Sequence, residues 1–129
     1  MKKTLLVCLM AAALVCVFAL PSLYAVDAPG DMVLKAPAGI DSKKAPVAFS
    51  HKGHAAIECT KCHHTWDGKS EVKKCDSEKC HVKPGKKDKT SFYNAFHKTD
   101  RSCMGCHKAM KKAGSKTGPT SCTKCHPKK

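Results

Sequence analysis

Four stretches of the sequence join two cysteines to an immediately following histidine: Cys59-Thr-Lys-Cys62-His63, Cys75-Asp-Ser-Glu-Lys-Cys80-His81, Cys103-Met-Gly-Cys106-His107 and Cys122-Thr-Lys-Cys125-His126. Together they use eight of the ten cysteines. The order C-x-x-C-H is the covalent attachment pattern of c-type haem. On a turn of helix, positions i, i+3 and i+4 share a face. Two thiols there can form thioethers with the two vinyl groups of one haem, while the next imidazole reaches its iron. In the second stretch the cysteines stand two residues further apart; the extra pair is expected to loop out and leave Cys75, Cys80 and His81 in position.

The histidines complete the count. His63, His81, His107 and His126 sit in the motifs; His51, His54, His64 and His97 lie outside them. An iron held in a haem plane has two axial positions, so four haems take eight imidazoles with none left over. His51 and His54, three apart, can share a helical face or serve two different haems. His64 follows His63 directly and points elsewhere, so it is expected to serve another haem. Methionine, the alternative distal ligand, is scarce: Met104 lies inside its own attachment loop and Met110 three residues past His107. His/Met ligation raises the potential of haem iron, so an all-histidine set predicts low-potential centres. Closed coordination also argues for an electron carrier rather than a reductase of a small oxyanion or metal ion. A zinc or disulfide module is the other alternative, but neither gives a reason for a histidine after every second cysteine.

The elements around these ligands must make do without an ordinary core. Residues 1–25 hold Lys2 and Lys3, an apolar run at 5–20 and a Pro-Ser-Leu-Tyr-Ala ending. This is the layout of a cleaved secretory signal, too short to span a bilayer as an anchor. Cys8 and Cys16 would leave with it. The domain is then residues 26–129, and loss of Lys2 and Lys3 takes the charge from +14 to +12. Only eleven Leu, Ile, Val and Phe remain in this stretch. That is a disorder-like content unless a cofactor supplies the apolar interior.

The expected fold is mostly irregular, with a few short α-helices and a small N-terminal β-hairpin, the haems forming the core. Residues 33–35 and 47–49 would pair as strands. Ser91 would cap a helix over 92–98, with Phe92 and Phe96 on one face beside His97. Ser102 would cap a second helix, from 103 to about 113, stopped by Gly114. A compact chain of this length has a radius of gyration near 13 Å, which leaves four macrocycles no way to avoid one another. Phe49, Trp66, Phe92, Tyr93 and Phe96 are read as packing against porphyrin faces.

The segments Pro46-Val-Ala-Phe49-Ser-His51-Lys-Gly-His54 and Cys59-Thr-Lys-Cys62-His63-His64, with the wider Cys75–Cys80 motif after them, resemble tetrahaem cytochrome c3, the small class III c-type cytochromes of sulfate-reducing bacteria. The resemblance covers nearly all of residues 26–129. It implies a periplasmic, low-potential carrier that exchanges electrons with hydrogenase and other redox proteins in sulfate respiration. It also implies ligand sets: Cys59, Cys62, His63 and distal His51; Cys75, Cys80, His81 and distal His64; Cys103, Cys106, His107 and distal His54; Cys122, Cys125, His126 and distal His97. Several family members have a wide fourth motif; here it is short.

Lysine clusters late, at 86, 87 and 89 and then at 108, 111, 112, 116, 124, 128 and 129. Part of this charge offsets the haem propionates. The rest fits a docking face for an acidic redox partner, the face that the resemblance also implies. Export and haem attachment point away from nucleic acid, and the chain is expected to work as a monomer without stable membrane insertion. Proton uptake on haem reduction is a further expectation.

Overall fold

The N-terminal ladder is short because a proline ends it. The computed structural model describes residues 26–77 and 80–128; the expected signal segment, with Cys8 and Cys16, lies outside the described residues. Strand β1 (Met32–Leu34) pairs antiparallel with β2 (Val47–Phe49), in the register Met32↔Phe49, Val33↔Ala48, Leu34↔Val47. The first strand thus starts one residue before the stretch expected from the sequence. Lys35 would face Pro46, which has no N–H to offer, so the pairing extends outward to Met32. Alternation leaves Met32, Leu34, Val47 and Phe49 half-buried on one face, with Val33 and Ala48 exposed on the other.

A 3-10 turn (Lys52–His54) follows β2, then a single helical turn, α1 (Cys59–Cys62). Later come α2 (Phe92–His97), α3 (Cys103–Lys112) and another single turn, α4 (Cys122–Cys125). The two longer helices begin where a serine satisfies an orphan amide. Ser91 Oγ accepts from Asn94 N–H at 3.3 Å, and Ser102 Oγ accepts from Gly105 N–H at 2.9 Å. Each such cap contributes about 1 kcal/mol. The end of α3 is closed by Gly114 at φ +70°, with Gly114 N–H bonding to Lys111 O and Ser115 N–H to Met110 O. These two bonds satisfy two of the carbonyls in the last turn of the helix. Helix α2 packs on α3, and Phe92 and Phe96 meet at 4.8 Å.

No apolar side chain is buried among the described residues; the buried ones are Ser91, Asn94 and Ser102. The polypeptide is therefore organised by caps and turns around the segments that carry the histidines. One such turn lies between α1 and the second motif. Asp67 Oδ1 accepts from Ser70 N–H (2.7 Å), Lys69 N–H (2.9 Å) and Ser70 Oγ (2.8 Å), while the Trp66 indole donates to Ser70 O at 2.7 Å.

Those donors, the Ser70 amide first and the Lys69 amide next, hold the Asp67 carboxyl down at about 2 against an ordinary 3.8. A carboxyl lowered on folding stabilises the turn above its unfolded value, and the contribution disappears as pH falls through the folded one. The Trp66 indole N–H resonance should therefore hold steady from about pH 7 to about pH 4 and move as the pH approaches about 2. A resonance unchanged down to that pH would separate Trp66 from the Asp67 turn.

Candidate functional site

Each attachment motif folds back on its own first cysteine. His63 N–H bonds to Cys59 O at 2.8 Å and His126 N–H to Cys122 O at 2.8 Å, closing the helical turns α1 and α4. The wide motif makes the same bond: His81 N–H reaches Cys75 O at 3.1 Å. Cys75 and His81 thus keep the relation seen in the short motifs; of the four residues between Cys75 and Cys80, Glu78 and Lys79 lie outside the described residues. The third motif forms the first turn of α3, started by the Ser102 cap.

The imidazoles come together two by two, and each pair draws on distant parts of the chain. His54, from the 3-10 turn, faces His107 of α3 with ring centres 6.1 Å apart and planes 12° from parallel. His97, at the end of α2, faces His126 at 6.1 Å and 14°. His64 faces His81 at 6.0 Å, with the planes tilted by 58°. A metal atom bonded to two opposed imidazoles at about 2 Å from each nitrogen sets their ring centres about 6 Å apart. The spacing is too wide for direct stacking and fits one iron between the rings. Among the described residues no such ring contact joins His51 and His63. His51 instead stands edge-on to Phe49 at 4.8 Å, and its Nδ1 is buried without a partner.

Hydrogen bonds select the tautomer. His81 Nδ1 donates to Thr90 O (2.9 Å), His107 Nδ1 to Pro119 O (2.9 Å), His126 Nδ1 to Ala45 O (2.7 Å) and His63 Nδ1 to Lys73 O (3.3 Å). His54 Nδ1 and His97 Nδ1 donate to the carbonyls four residues before them, Ser50 O at 2.8 Å and Tyr93 O at 2.9 Å. With its proton on Nδ1, a neutral imidazole carries its lone pair on Nε2, ready for a metal. A zinc site needs three or four protein ligands around one point. Among the described residues no group of three His, Cys, Asp or Glu converges in that way.

No disulfide joins any of the eight motif cysteines. Cys62 and Cys75 remain open to solvent as residues, yet the protein packed around their sulfurs desolvates them and pushes both thiols up. Cys106 and Cys59 add to the effect on Cys62, and Asp76 and then Cys62 to that on Cys75. Cys103 is raised likewise by burial, then by Cys62, Cys75 and Cys125; Cys125 is raised by burial and Cys122. Cys103 of the third motif therefore lies within electrostatic reach of a sulfur from each of the other three. Lys108, Lys111 and Lys112 on α3, with Lys116, Lys124 and Lys128, present an exposed cationic surface; Lys129 lies outside the described residues.

Reasoning from the sequence missed the groups that orient these imidazoles. The acceptors are backbone carbonyls of Ala45, Lys73, Thr90 and Pro119, which carry no side-chain signature. Gly118 is the exception, because the Gly-Pro pair at 118–119 marks a turn. A methyl group at Gly118 would stand 2.5 Å from His107 Cε1, so only glycine lets the chain cross the ring and deliver the Pro119 carbonyl.

Comparison with known proteins places these features in a family context. A family model described as the class III cytochrome c family matches residues 29–126. The chain is 69% identical over 108 residues to a cytochrome c3 of Maridesulfovibrio salexigens, covering 81% of this chain and 99% of that one. It is 58% identical over 106 residues to a cytochrome c3 of Desulfovibrio desulfuricans, covering 80% and 99%. Among solved structures, a di-tetrahaem cytochrome c3 from Desulfovibrio gigas matches with a TM-score of 0.69 and 37% identity, over 80% of this chain and 100% of that one.

Replacing Gly118 by Ala should force His107 or the 117–119 segment to shift, at a cost of about 1–3 kcal/mol for an overpacked contact. Guanidinium denaturation reads the cost, and NMR should show the His107 ring resonances moved while those of His97 stay. Unchanged stability and spectra would mean that the crossing is loose.

Proposed function

The chain belongs to the class III cytochrome c family, and from that membership we propose that it is a periplasmic, low-potential carrier in which two histidines grip each haem iron. Membership makes it a multihaem electron-transfer protein with redox partners, not an enzyme. Its four cysteine pairs carry four c-type haems. Bound iron supplies the one-electron ferric–ferrous change; the chain's own residues hold, orient and shield it.

In this reading Cys59 and Cys62 anchor one haem between His63 and His51, and Cys75 and Cys80 another between His81 and His64. Cys103 and Cys106 anchor the third between His107 and His54, and Cys122 and Cys125 the fourth between His126 and His97. The observation that carries it is the approach of three imidazole pairs at 6.0–6.1 Å. Nδ1–carbonyl bonds add support, since they raise ligand basicity and favour the ferric state, hence low potential. Eight histidines on four irons leave no open coordination position, which favours a carrier over a reductase.

The finer reading extends outward from the haems. Residues 1–25 act as a cleaved signal, and the mature chain works in the periplasm, where hydrogenase delivers electrons for sulfate respiration. The exposed lysines of α3 and the C-terminal region steer that acidic partner. Reduction is accompanied by proton uptake at the haem propionates or nearby groups.

Replacing His97 by Met should raise the midpoint of one haem by on the order of 0.1 V, part of the roughly 0.8 V span that axial ligands command. Four unmoved potentials would remove His97 from the ligand set. Repeating the titrations between about pH 5 and about pH 9 reads the proton coupling, and flat potentials would dispose of it. Charge reversal at Lys111 and Lys112 should slow reduction by an acidic partner by up to about tenfold at low salt. The difference should shrink once the Debye length falls well below about 10 Å. Equal rates in stopped-flow mixing would take the docking face off α3.

A further inference from the structure

One further ring and a cation stand beside the pair formed by His97 and His126. Tyr93 lies one helical turn before His97 on α2, so the helix itself brings the two onto one face. Their ring centres are 4.4 Å apart and the planes 11° from parallel. The Tyr93 carbonyl also accepts the His97 Nδ1 proton. Tyr93 thus holds this imidazole by both its backbone and its ring. The Lys86 ammonium in turn lies over the Tyr93 ring, 4.5 Å from its centroid.

This placement of Lys86 is built into the loop before α2. Asn94 is only 7% exposed, and its Nδ2 donates to Lys86 O at 3.0 Å and to Asp88 O at 2.7 Å. The backbone of Lys86 is therefore fixed to the helix that carries Tyr93 and His97. Lys83, earlier in the same loop, has its ammonium on Asp88 Oδ2 at 2.6 Å. One lysine of the loop is matched by a carboxylate, whereas Lys86 is presented to an aromatic face, a favourable cation–π position.

We propose that Lys86 sets the potential of the haem bound between His97 and His126, raising it relative to the same haem without the charge. The inference rests on the ligand reading given under Proposed function. A fixed positive charge disfavours the ferric state, which carries one more positive charge than the ferrous. The ammonium lies at most about 9 Å from the His97 ring centre, where a unit charge in partly solvated protein is worth about two- to tenfold in an equilibrium constant. The Tyr93 ring contacts both groups, and because Lys86 itself is exposed its effect is greatest at low salt. Lys86 is a positioning charge, held in place by its contact with the Tyr93 ring.

The test uses the haem-loaded chain and the uncharged variant Lys86→Met, with Lys86→Arg to keep both charge and cation–π contact. An NMR-followed reductive titration resolves the haems, and the relevant one is identified by nuclear Overhauser contacts to the Tyr93 ring protons. At low salt and fixed applied potential, Lys86→Met should lower the reduced-to-oxidised ratio of that haem by about two- to tenfold. The other three should move less, and Lys86→Arg should stay near the parent. An unmoved ratio at the Tyr93 haem, or an equal shift at all four, overturns the proposal. If no haem contacts Tyr93, the ligand reading itself has failed, and the inference falls with it.

Discussion

A neutral imidazole has one proton to give and one lone pair to offer, and this structure spends the two in opposite directions. Six of the eight histidines place Nδ1 on a backbone carbonyl, which leaves Nε2 for metal. The two kinds of histidine meet this requirement differently. Two of those outside the motifs, His54 and His97, use the carbonyl one turn earlier, so each short helical segment carries its imidazole already oriented. The motif histidines are fixed in sequence by their cysteines and must find a carbonyl brought from elsewhere. Segments that look irregular, such as residues 45–46, 73–74 and 117–119, follow the paths that deliver those acceptors.

The same constraint explains how so few apolar residues can specify one shape. The buried side chains among the described residues are Ser91, Asn94 and Ser102, each at or near a helix start. Ser91 and Ser102 satisfy amides that open the helices bearing His97 and His107. Asn94 ties the preceding loop to α2. The polypeptide contributes direction, through caps and carbonyls, while the four haems contribute the apolar surface that aliphatic side chains provide in other proteins. A net positive chain is compatible with this division, because each haem brings carboxylates of its own.

Local chemistry was legible and long-range chemistry was not. Ser91, Ser102 and Gly114 marked helix ends because capping depends on one side chain or one positive φ at a known offset. The attachment motifs were legible for the same reason. The position of β1 was misread by one residue because the effect of Pro46 is felt across the ladder, not along the chain. The link from His126 to Ala45 joins residues far apart in sequence through a carbonyl that every residue possesses. Gly118 over His107 and Lys86 over Tyr93 depend on which segments cross, and periodicity and propensity do not encode crossings. The tilt that separates the His64–His81 pair from its nearly parallel counterparts belongs to the same class of information.

The scarcity of buried apolar side chains has a consequence for how the protein is made. A chain whose interior is supplied by covalent cofactors has little to hold it closed before they arrive, so folding and haem attachment become one process. Each attached haem would then remove a stretch of polypeptide from the reach of proteases, which cleave chains that open. A chain lacking one haem would leave a histidine pair and its crossing segments untied, and so more open to proteolysis than the complete carrier. The cell would thus obtain quality control over a four-centre protein from chain composition alone, without a dedicated inspection step.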